Sequence, residues 1–334
     1  ILAAGTQWFY NEDFNITNTQ EFNIPFPNAV SGEELEVSVR GVTNSVVNSS
    51  MAVQLNSQDI FTINYPGINL TKAIALKKSV KVISSSENLA ISITYDNNGN
   101  PSASAFLDYV EVVGKKNLRF SDFQFSFRSF QQANATGTIA YQIQNGANAF
   151  QVWDVTDYIN PNQIVNEDTG TNFTFKDNAG ELREYIILDQ NDFYIPETIQ
   201  NSRVENQNLH ALQDINYIII TNEELSNQAQ RLADYHQNNS NLTTKVVLID
   251  EIYNEFSSGS KDITGVRDFI KYIYDSYTAP DKKLQYVCFF GDASYDYKDR
   301  IEANNNIVPV KLSTISFNLA SSYVTDDFFV MLDA

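Results

Sequence analysis

The stretch from Ile215 to Asp292 constrains the fold most, because apolar runs alternate along it with segments of helical spacing. The apolar runs are 215–220, 245–249 and 284–290, and β-branched or aromatic residues dominate them, as is typical of strands. This alternation predicts a parallel sheet that helices cover on both faces. In such sheets the functional residues lie beyond the carboxyl ends of the strands.

The connections between these runs carry predictions of their own. Helical spacing of apolar residues predicts one helix over 222–238 and another that begins near Ile263, with Asp262 as its N-cap. The segment 251–259 is predicted to be a loop that follows the second strand and borders a cleft, with Gly259 permitting its turn.

Residues 1–116 show a different pattern, in which polar and apolar residues alternate over short segments. The clearest are 35–39, 90–95 and 108–112, and a period of two predicts antiparallel strands that bury one face. The segment 96–101 contains an Asn-Gly pair, which predicts a hairpin turn. The spacing of its Asp and Asn residues also fits half of a calcium loop, but no glutamate closes that loop.

Residues 117–208 continue the β pattern, with Phe123, Phe125 and Phe127 on one face of a predicted strand. Such a stripe is more typical of a core than of a sugar-stacking surface. The whole chain is therefore predicted to be an α+β multidomain protein. Its predicted parts are an antiparallel β-sandwich or jelly-roll-like module (1–116), a second β-rich module with a linker (117–208) and an α/β domain (209–334).

Charge and composition exclude several classes of function. The formal net charge of −19 would repel nucleic acid, so a DNA or RNA partner is not expected. No apolar run approaches the ~18–20 residues of a membrane-spanning helix. The first predicted strand runs into 221–224, which has no glycine and two acidic residues, so a dinucleotide-binding turn is excluded.

Several segments resemble the gingipain-like cysteine peptidases. The resemblance is carried by INYIIITNEEL (215–225), EIYNEFSSGSKDITGVRDFIKYIYD (251–275) and YVCFFGDASYDYKDR (286–300), and it extends to VWDVTD (152–157), NQNLHAL (206–212) and YVTDDFF (323–329). It implies that residues 209–334 are the first half of a caspase-like α/β peptidase domain with a parallel sheet. It also implies a Cys–His catalytic dyad.

A cysteine peptidase needs a thiolate and an imidazole within hydrogen-bond reach. The chain contains only Cys288, His210 and His236 for this purpose. Cys288 is predicted inside an apolar strand, which hides a thiol, so we interpret it as structural. We interpret His210 as a packed linker residue and His236 as a helix-end residue. The catalytic dyad is therefore expected after Ala334, and this chain alone is expected to be inactive.

The remaining candidates frame a cleft. Gly291 and Asp292 end the third strand of the predicted sheet, Tyr295 follows them, and Asp326 and Asp327 are adjacent carboxylates nearer the C-terminus. We predict these residues at the rim of a substrate cleft. The two adjacent carboxylates allow two interpretations. They could serve substrate recognition or a calcium site, or they could belong to a surface turn. No other cofactor is predicted.

Within the family, the resemblance is strongest to the branch that acts as the sortase of type IX secretion. It implies an exported protein at the outer-membrane surface that removes C-terminal sorting domains from cargo and attaches the cargo to a lipopolysaccharide-type anchor. It also implies an outer-membrane barrel as partner. The alternative is a non-catalytic surface protein whose β-modules bind glycan or protein. The sequence beyond Ala334 would discriminate between them, because only the peptidase needs a dyad there.

Overall fold

The structure is a computed structural model that describes residues 9, 14, 17–69, 72–121, 123–197, 203–296, 302–313, 318 and 322–332. Antiparallel sheets form its N-terminal part, and a parallel sheet with helices follows. The predicted α+β multidomain class is confirmed. In the part of the chain that the structure describes, none of the helices has the length and apolar character needed to cross a membrane.

The first strands form two antiparallel sheets packed face to face. The strands are β1 (Thr19–Pro25), β2 (Glu34–Asn44), β3 (Ser49–Leu55), β4 (Gln58–Tyr65), β5 (Ile74–Ile83), β6 (Asn88–Asp96) and β7 (Ser104–Val113). One sheet has the order β1-β6-β3-β4 and the other β5-β2-β7. Alternate residues of both sheets meet in one buried cluster, with Val37, Met51 and Ile93 fully enclosed.

The predicted hairpin at 96–101 is wrong. Asn98 and Gly99 do form a tight turn with positive φ, as Asn-Gly favours. However, β6 before the turn pairs with β1 and β3, whereas β7 after it pairs with β2. The turn therefore carries the chain from one sheet to the other. A local turn signal fixes the reversal but not the pairing partner of the next strand.

The second β-rich region has its own core. Its elements are β8 (Phe125–Arg128), α1 (Phe130–Asn134), β9 (Thr138–Ile143), β10 (Gln151–Asp154), β11 (Asn162–Ile164), β12 (Phe173–Asn178) and β13 (Glu184–Leu188). The sheet β11-β10-β13-β8 packs with the β9–β12 pair around a largely aromatic cluster. Phe125 and Phe127 pack against this cluster, as expected of a core stripe, but Phe123 is 68% exposed.

The α/β part contains the predicted parallel sheet. Its elements are β14 (Tyr217–Thr221), α2 (Ser226–Ser240), β15 (Thr244–Leu248), α3 (Ile249–Phe256), α4 (Ile263–Asp275) and β16 (Tyr286–Phe289). β14 lies between β15 and β16 and runs parallel to both. A large cluster with α3 and α4 covers one face, and a smaller cluster with α2 covers the other. Such two-sided burial explains why the central residues of these strands are apolar.

The predicted loop at 251–259 is wrong, because most of it is the helix α3. Ile252 and Tyr253 are adjacent, and Phe256 follows three residues later. This spacing is helical, and all three side chains pack in the core. The Glu251 side chain accepts a hydrogen bond from the Leu248 N–H and closes the first turn. The chain turns only at Ser257–Gly259, before Asp262 caps α4 as predicted, by accepting from the Thr264 N–H.

The last described elements are β17 (Lys311–Leu312), β18 (Val324–Thr325) and α5 (Asp327–Val330). β17 and β18 pair antiparallel. The ring of Phe329, fully buried, lies 4.7 Å from the ring of Phe289 at the end of β16. This contact fixes α5 beside the carboxyl edge of the parallel sheet.

Candidate functional site

The carboxyl edge of the parallel sheet is the candidate site, and hydrogen bonds hold its strands in place up to their last residues. The Thr221 hydroxyl, fully buried, donates to the Phe290 carbonyl at 2.7 Å. The Phe290 N–H donates to the Ile220 carbonyl at 2.8 Å. The loop that follows β16 therefore leaves the sheet from a rigid base.

Gly291 begins that loop in a conformation that requires glycine. Its φ is +154°, and a Cβ at this position would lie 2.5 Å from Cγ2 of Ile307. The next residue, Asp292, receives the Ile307 and Val308 N–H groups on its carbonyl and the Asn305 amide on Oδ2 at 2.9 Å. Asp292 remains exposed, so its carboxylate faces solvent at the edge of the sheet.

The three consecutive amides of Asn304, Asn305 and Asn306 fasten the loop after β16. Asn304 donates to the Asp296 carbonyl at 2.8 Å, and the Asn306 side chain accepts from the Ser294 N–H at 3.1 Å. Tyr295 lies within the fastened loop and is 41% exposed. Sequence reasoning missed this role of the asparagines, although three in a row is a visible signal for side-chain to backbone bonding.

Asp326 and Asp327 lie at the turn between β18 and α5, and both are exposed. The Thr325 hydroxyl accepts from the Asp327 N–H at 3.1 Å, so the pair starts a helix rather than continuing a strand. No hydrogen bond between described residues joins this pair to Asp292 or Tyr295. Likewise, no group of three or more His, Cys, Asp or Glu side chains among the described residues is arranged to hold a metal ion.

Cys288 lies inside β16 on the face that α2 covers. It is partly buried and packs against the cluster of Ile219, Ala229 and Ala233. Burial, together with the neighbouring Cys288 thiol, raises the pKa of Tyr217 to about 12. The ring of His236 lies edge-on to Tyr217, 5.2 Å between centroids, and no hydrogen bond between described residues joins the thiol to an imidazole.

This environment predicts slow chemical modification of Cys288. We expect a maleimide or disulfide reagent to label the folded chain at least tenfold more slowly than the chain in urea, because packing against the α2 cluster restricts access. The measurement is the rate of mass addition at the single thiol. Labelling of the folded chain at the rate seen in urea would contradict the interior placement of this side chain.

His210 lies with the α3 and α4 cluster, on the other face of the sheet from the thiol, in a short turn at Leu209–Ala211. Its ring stacks on Phe256 at 4.5 Å, and its Nδ1 lies 2.8 Å from Oε2 of Glu255. Glu255 also accepts from the Leu209 N–H and from Gln207. The histidine is therefore part of a latch, consisting of residues 207–210 and Glu255, that fastens the chain entering the α/β part. Sequence reasoning did not identify Glu255.

The latch should depend on pH. Burial alone would raise the pKa of Glu255, but bonds from Gln207, the Leu209 N–H and His210 outweigh it and hold that pKa below its usual value. The latch therefore contributes its full stability above about pH 4.3, the usual pKa of a glutamate carboxyl. This stability is lost as the pH falls through the lower pKa that Glu255 has in the folded protein. We expect the Leu209 amide to lose its protection from hydrogen exchange over that acidic pH range. In the Glu255→Gln variant, protection should be lower at neutral pH and should not change over this range.

Comparisons with known proteins find a family-model match and a similar solved structure. Residues 210–334 match the sequence model of peptidase family C25. The whole fold superposes on the crystal structure of dimeric latent PorU from Porphyromonas gingivalis, with a TM-score of 0.83 over 99% of this chain. The chain resembles PorU. Sequence identity to that PorU chain is 22%, so the likeness establishes the shared fold.

The chain covers 33% of the PorU chain, about a third of its length. A carbohydrate-binding module, CBM36-1 of a xylanase from the hindgut metagenome of Trinervitermes trinervoides, aligns with 34% of this chain and 90% of its own. Its identity is 16% and its TM-score 0.25, too low to support an argument. A search of curated proteins finds no significant match. The PorU-like fold therefore rests on the C25 match and the PorU superposition.

Proposed function

We propose that this chain is part of a cell-surface cysteine peptidase that acts as a sortase in type IX secretion. The observation that supports it is the coincidence of the C25 match over 210–334 with a parallel sheet whose carboxyl edge presents Asp292 on a fastened loop. In open α/β sheets this edge is where substrates bind. Tyr295 and Asp292 would then line the rim of the cleft.

The proposed reaction is acyl transfer in two steps. A thiolate attacks the carbonyl carbon before the C-terminal sorting domain, the peptide C–N bond breaks, and the leaving amine takes a proton from the imidazolium. An amine of a lipopolysaccharide-type anchor then attacks the thioester, the C–S bond breaks and the thiolate is regenerated. The imidazole accepts the proton of the attacking amine. Water in place of that amine would give hydrolysis.

Cys288 is unsuited to this role because it lies within a strand and no imidazole bonds to it among the described residues. We therefore propose that the dyad comes from the polypeptide that follows Ala334. We also propose cargo sorting domains and an outer-membrane barrel as partners, peripheral attachment at the outer-membrane surface, and Asp326 and Asp327 as substrate or calcium ligands. The exposure of both carboxylates supports their access to a ligand.

The test uses the full-length protein that contains this chain, a cargo peptide spanning the sorting-domain junction and an amine acceptor. Mass spectrometry should detect the released sorting domain and the cargo joined to the amine through a new amide bond. Cys288→Ala should retain this activity, because that thiol is not the nucleophile. Absence of cleavage by the folded protein, or loss of activity in folded Cys288→Ala, would refute the proposal.

A further inference from the structure

The N-terminal sandwich is in contact with the hairpin that β17 and β18 form. Lys72, in the connection from β4 to β5, makes an antiparallel β-bridge with Asn318, which lies between β17 and β18. Residues that face each other in such a bridge have Cα atoms about 4.5–5.5 Å apart. The hairpin therefore reaches the sandwich, although the two bridged residues are far apart in sequence.

On the sandwich side, hydrogen bonds fix the connection that carries Lys72. Its carbonyl accepts from the side-chain amide of Asn44 at the end of β2, and its N–H donates to the Asn69 carbonyl at 2.9 Å. The Ile68 N–H donates to the Ser45 carbonyl at 2.7 Å. The connection is therefore bonded to the chain that leads from β2 to β3, and it moves with the sandwich.

On the other side of the bridge, hydrogen bonds lead from Asn318 to the paired strands. The Asn318 carbonyl accepts from the Ser322 N–H at 2.9 Å. The next residue along the chain, Tyr323, accepts from the Ser313 N–H on its carbonyl at 3.0 Å. Leu312, one residue earlier in β17, faces Val324 of β18. A displacement of Asn318 is therefore passed to both strands.

The strand β18 leads directly into the rim carboxylates Asp326 and Asp327, and the helix that follows is attached to the α/β part. Phe328 of α5 carries a cation near its ring from each of two elements. The Lys311 ammonium of β17 lies 4.9 Å from the ring centroid, and the Arg267 guanidinium of α4 lies 5.3 Å from it. The rim carboxylates thus lie between one attachment to the sandwich and another to the α/β part.

The hairpin itself contributes little to its own position. β17 and β18 have two residues each, and even a longer two-stranded ribbon is only marginally stable in water. Tyr323 and Val324 are 60% and 53% exposed, so much of the apolar surface of the hairpin is not buried. Its position therefore depends on the contacts at its two ends, with α5 at one end and the sandwich at the other.

We propose that the N-terminal sandwich positions the rim of the candidate site, with Asn44 and Lys72 acting through the hairpin on Asp326 and Asp327. A module that served only to bind a separate partner would need no bridge to the hairpin that precedes these carboxylates. The sandwich is then a working part of the substrate site. The coupling is independent of the reaction, whereas its effect on substrate binding rests on the proposed sortase function.

A disulfide tests the contact itself. In the intact chain with Cys288→Ala, Lys72→Cys and Asn318→Cys place two thiols at a Cα separation that a disulfide spans, so mild oxidation should crosslink most of the chains. The matched control pairs Asn318→Cys with Gln54→Cys, which lies where β3 turns into β4, at the opposite end of β4 from the bridge. Peptide mass spectrometry measures the crosslink. Its absence from the first pair, or its formation at equal rate in both pairs, would overturn the proposal.

Hydrogen exchange tests the coupling. Asn44→Ala removes the bond to the Lys72 carbonyl and should speed exchange of the Ser313 amide about fivefold, the effect of losing one hydrogen bond. Gln54→Ala removes a bond of the same kind, to Asp59 at 2.8 Å, and should leave this amide unchanged. The crosslinked chain should exchange it more slowly than the same chain after reduction. Exchange that is insensitive to both Asn44→Ala and the crosslink would refute the coupling.

Cleavage kinetics of the full-length protein test the consequence for the substrate. Asn44→Ala should raise the KM for the cargo peptide severalfold and leave kcat within about twofold, because it loosens the rim but leaves the reacting groups in place. Gln54→Ala should change neither constant. An unchanged KM in Asn44→Ala would overturn the positioning role. A folded protein that cleaves no cargo would refute the sortase function instead, and the exchange of Ser313 would still decide the coupling.

Discussion

Replacing Phe269 with alanine is expected to lower the free energy of unfolding of the α/β part by about 3–5 kcal/mol. Phe269 lies on the inner face of α4 and is fully buried. Its ring meets Phe256 of α3 edge-on at 5.4 Å, so it packs two helices together over one face of the parallel sheet. Truncation would leave a cavity that these helices cannot close without moving away from the strands.

The single cysteine makes this effect measurable in a chain with several cores. Cys288 lies in β16, so its labelling rate in increasing urea reports unfolding of the parallel sheet and not of the β-modules. Phe269→Leu keeps most of the volume and should cost about 1 kcal/mol. Tyr235→Ala removes a ring that is 59% exposed on α2 and should change stability by less than about 0.5 kcal/mol. A Phe269→Ala loss no larger than that of Tyr235→Ala would contradict this account.

The parallel sheet could be predicted from the sequence because its signal is both local and physically forced. Strands buried on two faces are nearly continuous apolar runs, and 217–220 and 286–290 show this pattern. The parallel orientation was predicted because neighbouring parallel strands need a crossover connection, which the intervening helices supply. The order β15-β14-β16 was not predicted. Asp262 was predicted as a cap because its side chain acts within its own turn.

The incorrect loop prediction at 251–259 and the roles missed at the candidate site have a different cause. In α3, Asp250, Glu251, Asn254 and Glu255 made the segment appear polar enough for a loop. Glu251 in fact caps the start of the helix by accepting from the Leu248 N–H. Glu255 accepts from the N–H of Leu209, which lies more than 40 residues earlier in the chain. At the candidate site, Asp292 owes its position to Asn305, 13 residues away. Polar residues whose partners are distant in sequence carry no periodic signal, so their roles appear only in three dimensions.

Asn216 is the clearest example of such a distant role. It precedes β14 at the amino edge of the sheet and is 6% exposed. Its side-chain amide donates to the carbonyls of Asp281 and Lys283, and its Oδ1 accepts from the Thr243 N–H. One side chain thus joins the connections that lead into β15 and β16 to the start of the central strand.

We expect Asn216→Ala to destabilise the α/β part by about 3 kcal/mol, because it removes three hydrogen bonds of ~1 kcal/mol each from groups with little access to water. Asn216→Asp should be at least as damaging, since it keeps the acceptor for Thr243 but directs a carboxylate at two carbonyls. The matched control is Asn238→Ala, an exposed asparagine of α2 where alanine should be neutral or slightly stabilising. Hydrogen exchange of β14 amides measures the difference. Equal protection in Asn216→Ala and Asn238→Ala would mean that backbone pairing alone holds the amino edge together.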